Sequence, residues 1–283
     1  MIKDFSRCHL SGCYYAGSSR KTGILLNGEK YILKYRRPSP AGLSYHHVSE
    51  YLGSQIYDML GIVTQDTWLG TYQGEEVVVM RDFITEKENF VPFCNLMDGL
   101  LDLENESVRY EYRNLAVILD RLLEPERREE AVRVFWDMFL VDAFLGNFKR
   151  WISNWGFLKT GNRYRVAPVF GNSTCLFPEI VSDQQCLEFL CSKEKMERKI
   201  CRPPVLRIVF DGRRCSYFDV VESRLFPECS KALWRIIKKI DFVILHALVN
   251  CVEFMSDIRK TFLLAALEER YKKFLLEPFE RMM

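Results

Sequence analysis

Apolar and polar positions along this chain follow two different periods. Over residues 22–26 and 30–35 they alternate in twos, the signature of half-buried strands. Asn27-Gly28 separates the two runs and is a strong hairpin signal, because a tight two-residue turn needs positive φ at both central positions. Just upstream, Tyr15-Ala16-Gly17-Ser18-Ser19-Arg20-Lys21 reads as a small-residue turn carrying two cations. Ser44 stands where a helix cap is expected, and Val48, Tyr51, Leu52, Ile56 and Met59 recur on one helical face before Gly61 ends it. Two more strand runs, over 67–72 and 76–80, flank Gly74.

After Phe83 the longer period takes over. It predicts helices over 108–123, 128–144, 233–252 and 258–276, with an irregular middle over 146–180 that holds short strands at 155–159 and 164–169. There is no internal repeat and no low-complexity linker. The expected class is α+β, with a small β-rich lobe over 1–82 containing one helix and a larger, mostly helical lobe over 83–283.

Composition narrows this picture mainly by exclusion. Of 283 residues, 48% are hydrophobic and 28% charged, enough for a proper core. Forty basic against 38 acidic residues leave a net charge of +2, which gives no electrostatic reason to expect nucleic acid as a partner. Short basic groups such as Lys34-Tyr35-Arg36-Arg37 and Lys238-Lys239 read as solvated faces. Ten cysteines occur without a C-x-x-C pair, so zinc is not expected and the thiols read as reduced. The chain shows no signal-peptide pattern, and its apolar stretches, such as 242–248, are too short to span a bilayer. The expectation is a cytoplasmic protein with no membrane partner.

Lys34 follows the hairpin on a predicted strand, and Glu50 lies on the helix beyond it. Phosphate binding uses this arrangement: small residues let backbone N–H groups approach, and a strand-borne ammonium held by a helix carboxylate pairs with the phosphates. Taken alone, both residues read better as surface groups, a lysine on an edge strand and a glutamate on a helix.

Two further segments decide between these readings. The first is Gly146-Asn147-Phe148-Lys149-Arg150-Trp151-Ile152-Ser153-Asn154-Trp155-Gly156-Phe157-Leu158. The second is Ala167-Pro168-Val169-Phe170-Gly171-Asn172-Ser173-Thr174-Cys175-Leu176. Together they resemble the HipA-like serine/threonine kinases, especially the compact CtkA-like branch. That family carries G-N-x-D-R-H-x-x-N-W-G-F-L in its catalytic loop and A-P-x-(Y/F)-D-x-G-x-S-L in its metal-binding segment. The likeness extends over nearly the whole chain, through Tyr31-Ile32-Leu33-Lys34, Ser49-Glu50-Tyr51-Leu52 and Arg81-Asp82-Phe83 to Arg270-Tyr271. It implies a two-lobed protein-kinase-like fold. It also implies a nucleotide site built from Gly17, Ser18, Ser19, Lys21, Lys34, Glu50, Met80, Asp82 and Asn154.

Against the same pattern, the loop aspartate is Lys149, its neighbouring histidine is Trp151, and the metal-binding aspartate is Gly171. No catalytic residue is intact, and Asn154 alone survives as a vestigial metal ligand. Magnesium prefers carboxylate and phosphate oxygens. An ammonium ~4 Å from a divalent cation is repelled by about 8 kcal/mol at an effective dielectric of ~20. A protonated lysine also cannot accept a substrate's proton. The expectation is a pseudokinase that acts by protein or nucleotide binding, with ATP bound free of magnesium or no cofactor at all.

On one reading Lys149 and Arg150 neutralise phosphates; on the other Lys149 is a solvated loop residue. The alternative function is an active serine/threonine kinase or a nucleotidyltransferase with rewired residues, Glu179 or Asp183 replacing the lost acids. Asp142 is expected to support the loop, Trp151, Trp155 and Phe157 to be core, and His46 and His47 to lie on the surface. The resemblance suggests a bacterial toxin–antitoxin setting, with an active kinase or an antitoxin as the protein partner.

Overall fold

The structure, a computed structural model, describes residues 2–15, 17, 19–100, 111–147, 150, 153–201 and 209–283. Its first part contains strands β1 (Lys3–Asp4), β2 (His9–Leu10), β3 (Lys21–Leu26) and β4 (Glu29–Tyr35), the short hairpin β5 (Pro38–Ser39) and β6 (Gly42–Leu43), helix α1 (His46–Met59), then β7 (Thr67–Tyr72) and β8 (Glu75–Arg81). Six of these strands form one sheet in the order β1-β7-β8-β4-β3-β2. The Asn27-Gly28 turn forms as expected, with φ of 54° and 81°, and joins β3 to β4 in a register that sets Lys21 opposite Lys34.

Side-chain alternation then places the functional face. Leu33, Val77 and Val79 pack into a small core on one side of the sheet with Phe5, Ile24 and Tyr72. Lys34 and Met80 therefore point to the other side, where α1 and the second lobe lie. Helix α1 buries Val48, Leu52 and Ile56 in the same large core as the helical lobe. Ser44 does not cap α1: the N-cap is Tyr45, without a side-chain cap bond. The Ser44 hydroxyl donates instead to the Arg37 carbonyl at 2.9 Å and lies 2.6 Å from His46 Nδ1.

The second part begins with β9 (Asn89–Pro92), α2 (Phe93–Leu100), α3 (Tyr112–Leu122) and the long α4 (Pro125–Leu145). Strands β10 (Gly156–Thr160) and β11 (Arg163–Val166) form a three-stranded sheet with β9. There follow α5 (Asp183–Leu190), α6 (Lys193–Cys201), the β12–β13 pair (Val209–Phe210, Arg213–Arg214) and α7 (Tyr217–Ser223). The chain closes with α8 (Pro227–Ile237), α9 (Phe242–Asn250), α10 (Asp257–Tyr271), a π-helical turn at Lys272–Leu276 and α11 (Glu277–Glu280). The single helix expected over 233–252 is thus two. Asp241 accepts hydrogen bonds from the Val243 and Ile244 N–H groups, which starts a new helix where the period alone would continue the old one.

Helix α4 runs through the middle of this lobe and buries Phe135 to Leu145 without interruption. It ends on Gly146 at φ 70°, where a left-handed residue is needed to turn the chain into the following loop. The buried Arg270 Nε donates at 2.9 Å to the Ala143 and Phe144 carbonyls at that end. A cation there satisfies carbonyls that have no partner within the helix. The expected arrangement of a small β-rich lobe and a larger helical lobe is met. Among the described residues, no helix is long and apolar enough to cross a membrane.

Candidate functional site

A cavity of about 540 Å³ opens between the sheet and the helical lobe, within the usual range for small-molecule sites. At one end it is lined by Gly17, Ser19, Lys21 and Lys34. The Lys34 ammonium donates to Glu50 Oε2 at 2.7 Å, with the Glu50 side chain almost wholly buried. Glu50 Oε1 also accepts the Asn172 backbone N–H at 2.7 Å. One carboxylate thereby joins β4, α1 and the segment after β11. Ser18 lies outside the described residues.

At the other end the lining is apolar. Ile32, Met80 and Ile84 face the cavity, beside a cluster of Phe83, Phe90 and Phe170 whose ring centroids lie 5.2–6.1 Å apart. Asp82 closes this end: Oδ1 accepts the Ile84 N–H at 3.0 Å and Oδ2 accepts the Tyr15 hydroxyl at 2.8 Å. Gln65 Nε2 donates to the Arg81 carbonyl at 2.8 Å and fixes the strand end.

The floor is a buried polar network. Arg150 donates through Nε to Asp142 Oδ2 at 2.7 Å and through Nη2 to Asp142 Oδ1 at 2.8 Å. It also reaches the Phe170 carbonyl and, at 2.7 Å, Asn172 Oδ1. Tyr57 and Asn147 donate to Asp142 Oδ1 at 2.8 and 3.0 Å, and Thr174 donates to Asn147 Oδ1 at 2.6 Å. Asp142 supports the loop as expected. Arg150 does not face phosphates: its side chain is 8% exposed and engaged on every side. Lys149 and Trp151 lie outside the described residues, whereas Trp155 and Phe157 are buried.

Asn154 and Gly171 meet on the cavity wall. Gly171 has φ 76°, and a Cβ added there would stand 3.1 Å from the Cβ, Cγ and Nδ2 of Asn154. Neutral groups therefore occupy this wall, together with Ser173 and Thr174. Glu179 pairs with Lys199 at 2.7 Å and Asp183 with the Ser256 hydroxyl; neither lines the cavity. Among the described residues, no group of three or more His, Cys, Asp or Glu side chains is placed to hold a metal ion.

The polar lining residues Tyr15, Arg37, His46 and Gln65, and the apolar Ile84 and Phe90, are among those not foreseen. Arg37 belongs to a basic group that reads as a solvated face. In fact Arg36 is held by Glu76 and the Leu43 carbonyl, while Lys34 and Arg37 line the cleft. His46 faces the cavity, and His47 is buried against Glu76 at 3.1 Å, so neither histidine is a simple surface residue.

Residues 14–197 match the family of HipA-like C-terminal domains. The chain belongs to the HipA-like kinase family. Within it, the chain is similar to the serine/threonine-protein kinase CtkA of Helicobacter pylori, at 31% identity over 96% of this chain and 86% of that protein. The crystal structure of the H. pylori proinflammatory kinase CtkA superposes with a TM-score of 0.86 at 29% identity, covering 99% of this chain and 98% of CtkA. HipA of Shewanella oneidensis, solved with HipB and operator DNA, shares the fold with a TM-score of 0.55 at 14% identity, over 97% of this chain and 68% of HipA. The CtkA-like form of the family fold thus extends over the whole chain.

Glu50 makes the cleft sensitive to acid. Burial alone would raise its carboxyl, but the Lys34 ammonium, the Asn172 N–H and Arg150 outweigh that and hold it below the ordinary 4.5. The folded chain therefore protonates Glu50 less readily than the unfolded chain. The resulting stability is present above pH 4.5 and is lost as the pH falls through the depressed value. Urea denaturation from neutral to acid pH will show Glu50→Gln losing less stability on the acid limb than the native chain. Equal acid slopes would remove Glu50 from that role.

Proposed function

We propose that this chain is a pseudokinase of the HipA-like family: it takes a nucleotide in the cleft, does not carry out metal-dependent phosphotransfer, and acts by binding a protein partner. The observation that carries this reading is the Asn154–Gly171 wall. Where the family places a metal-binding carboxylate, this chain has a left-handed glycine with the neutral Asn154 amide 3.1 Å from where a Cβ would stand. These residues do not suit magnesium, which needs carboxylate oxygens beside the phosphates. Lys149, in place of the loop aspartate, adds a charge of the wrong sign. By contrast the Lys34–Glu50 pair and the apolar end of the cavity support the reading of a nucleotide bound free of metal. An active kinase or an antitoxin is the partner class that fits the family.

CtkA bears the name of a kinase, so the assay is direct. Incubated with γ-labelled ATP and magnesium or manganese, the purified chain is expected to label neither itself nor a generic protein substrate. Label that appears and is lost in Lys34→Ala would overturn the reading. ATP with chelator is expected to raise the melting temperature of the native chain, and Lys34→Ala is expected to abolish that shift.

A further inference from the structure

We propose that the segment from Arg37 to His46 is a phosphate clamp that replaces the metal, so that the cleft selects a nucleoside triphosphate free of magnesium. This rests on the nucleotide-binding reading above and adds which residues choose the ligand and how.

The clamp is built by a local closure. Between Arg37 and Ser44 the chain makes the β5–β6 hairpin and returns on itself. The Ser44 N–H and hydroxyl both donate to the Arg37 carbonyl, at 2.8 and 2.9 Å. The same hydroxyl lies 2.6 Å from His46 Nδ1. One serine therefore holds the arginine and the histidine side by side, and both line the cavity next to Lys21 and Lys34. Arg36, the neighbouring cation, is turned away to Glu76, which leaves Arg37 as the guanidinium of this segment that faces the cleft.

The charge balance points to an anion with several phosphates. Among the described lining residues the one carboxylate is Asp82, which sits at the far, apolar end with Tyr15 and Ile84. Glu50, behind Lys34, already takes that ammonium and the Asn172 N–H. Lys21 is packed against Gly17, its Nζ 2.7 Å from where a Cβ at Gly17 would stand. Burial, reinforced by the nearby Lys34 and Arg37, pushes Lys21 down. Helix α1 begins at His46 with no acidic residue in its first turn and no side-chain cap, so its positive end adds to the field. Glu50 offsets part of this positive charge, and the remainder, with Arg37, favours an anion in the cleft. Magnesium would cancel part of the triphosphate charge that draws the ligand in, and it would compete with Arg37, Lys21 and Lys34 for the same oxygens. The apolar base end distinguishes a nucleotide from bare polyphosphate.

Isothermal titration calorimetry on the full chain tests the clamp, with ATP, ADP, AMP and tripolyphosphate, each in chelator and in magnesium. Without metal, affinity is expected to fall about tenfold from ATP to ADP and again to AMP, as charge-assisted contacts are lost. Tripolyphosphate is expected to bind more weakly than ATP, and magnesium to weaken ATP. Arg37→Ala is expected to lose about tenfold for ATP while keeping the native affinity for AMP, with Arg37→Lys recovering most of the loss. Unchanged ATP affinity in Arg37→Ala, or tighter binding of ATP with magnesium, overturns the clamp and leaves nucleotide binding standing. No binding of any nucleotide by the native chain overturns both. The native chain's response to magnesium decides the question even if the variants fail to fold, and the AMP affinity of each variant reports its fold.

Discussion

Asp142→Ala will cost the chain ~3–5 kcal/mol of stability, seen as a fall of about 10 °C in melting temperature. The arithmetic is that of a buried ion pair cut on one side. Arg150 and Asp142 are 8% and 1% exposed and share two hydrogen bonds. Removing the carboxylate leaves the guanidinium buried beside the Phe170 carbonyl and Asn172, with its principal counter-charge gone. The Asn147 amide loses its acceptor in the same change, and the Tyr57 hydroxyl keeps only the Met138 carbonyl at 3.1 Å. The control is Asp142→Ala combined with Arg150→Met, which removes both charges and is expected to recover part of the loss, because paired removal leaves no unpaired ion. If the single and double variants melt together within error, the pair does not hold the loop.

The second prediction concerns repair. A chain carrying Lys149→Asp with Gly171→Asp restores the family's two acids on paper. It is expected to gain no magnesium-dependent phosphotransfer and to melt below the native chain. Residue 171 is left-handed at φ 76° and its missing Cβ would press on three atoms of Asn154. An aspartate there carries a strain of ~1–3 kcal/mol. Relieving it means moving Asn154, which is the surviving ligand of the family pattern, so the two requirements conflict. Labelled-ATP transfer and thermal melting check both halves. Magnesium-dependent labelling by the repaired chain would show that the wall yields, and that the present sequence is one short step from catalysis.

Much of this architecture is legible in the order of residues, wherever the deciding interaction is local. Asn27-Gly28 specifies a hairpin by backbone preference alone, and the alternation around it puts Lys34 on the cleft face. Phe157 and Trp155 fall in the core because the apolar pattern has nowhere else to put them. Apart from the helix over 233–252, which the local Asp241 cap divides in two, the misreadings concern polar groups whose partners are distant in sequence or turn on one rotamer. Arg150 looks like a phosphate contact until the end of α4 swings back and offers Asp142. Ser44 carries the right atoms for a helix cap but faces Arg37 and His46 instead. His47 finds Glu76 across the sheet. Arg36 and Arg37 are chemically alike, and only the turn that follows decides which meets Glu76 and which meets the cleft. Even in the match to the family, the catalytic loop specifies its framework far better than its use, because Gly146, Asn147 and Asn154 are present whether or not chemistry follows.

Gly53 carries the last consequence. A side chain at this position of α1 would overlap the Asn172 Cβ at 2.6 Å and crowd Cys175 Sγ at 3.1 Å, and the Cys175 thiol donates to the Ser49 carbonyl at 3.3 Å. The absence of a side chain lets α1 lie directly on the segment that follows the cavity wall, with Glu50 bonded across the join. Opening the lobes at this join would part the Asn172 N–H from a carboxylate that is almost wholly buried while they are closed. Lobe separation and loss of the Asn172–Glu50 hydrogen bond are therefore a single event, while the Lys34–Glu50 pair stays within the first lobe. By reciprocity, a ligand that touched both Lys34 and the Asn154–Gly171 wall, and so preferred the closed cleft, would tighten the join.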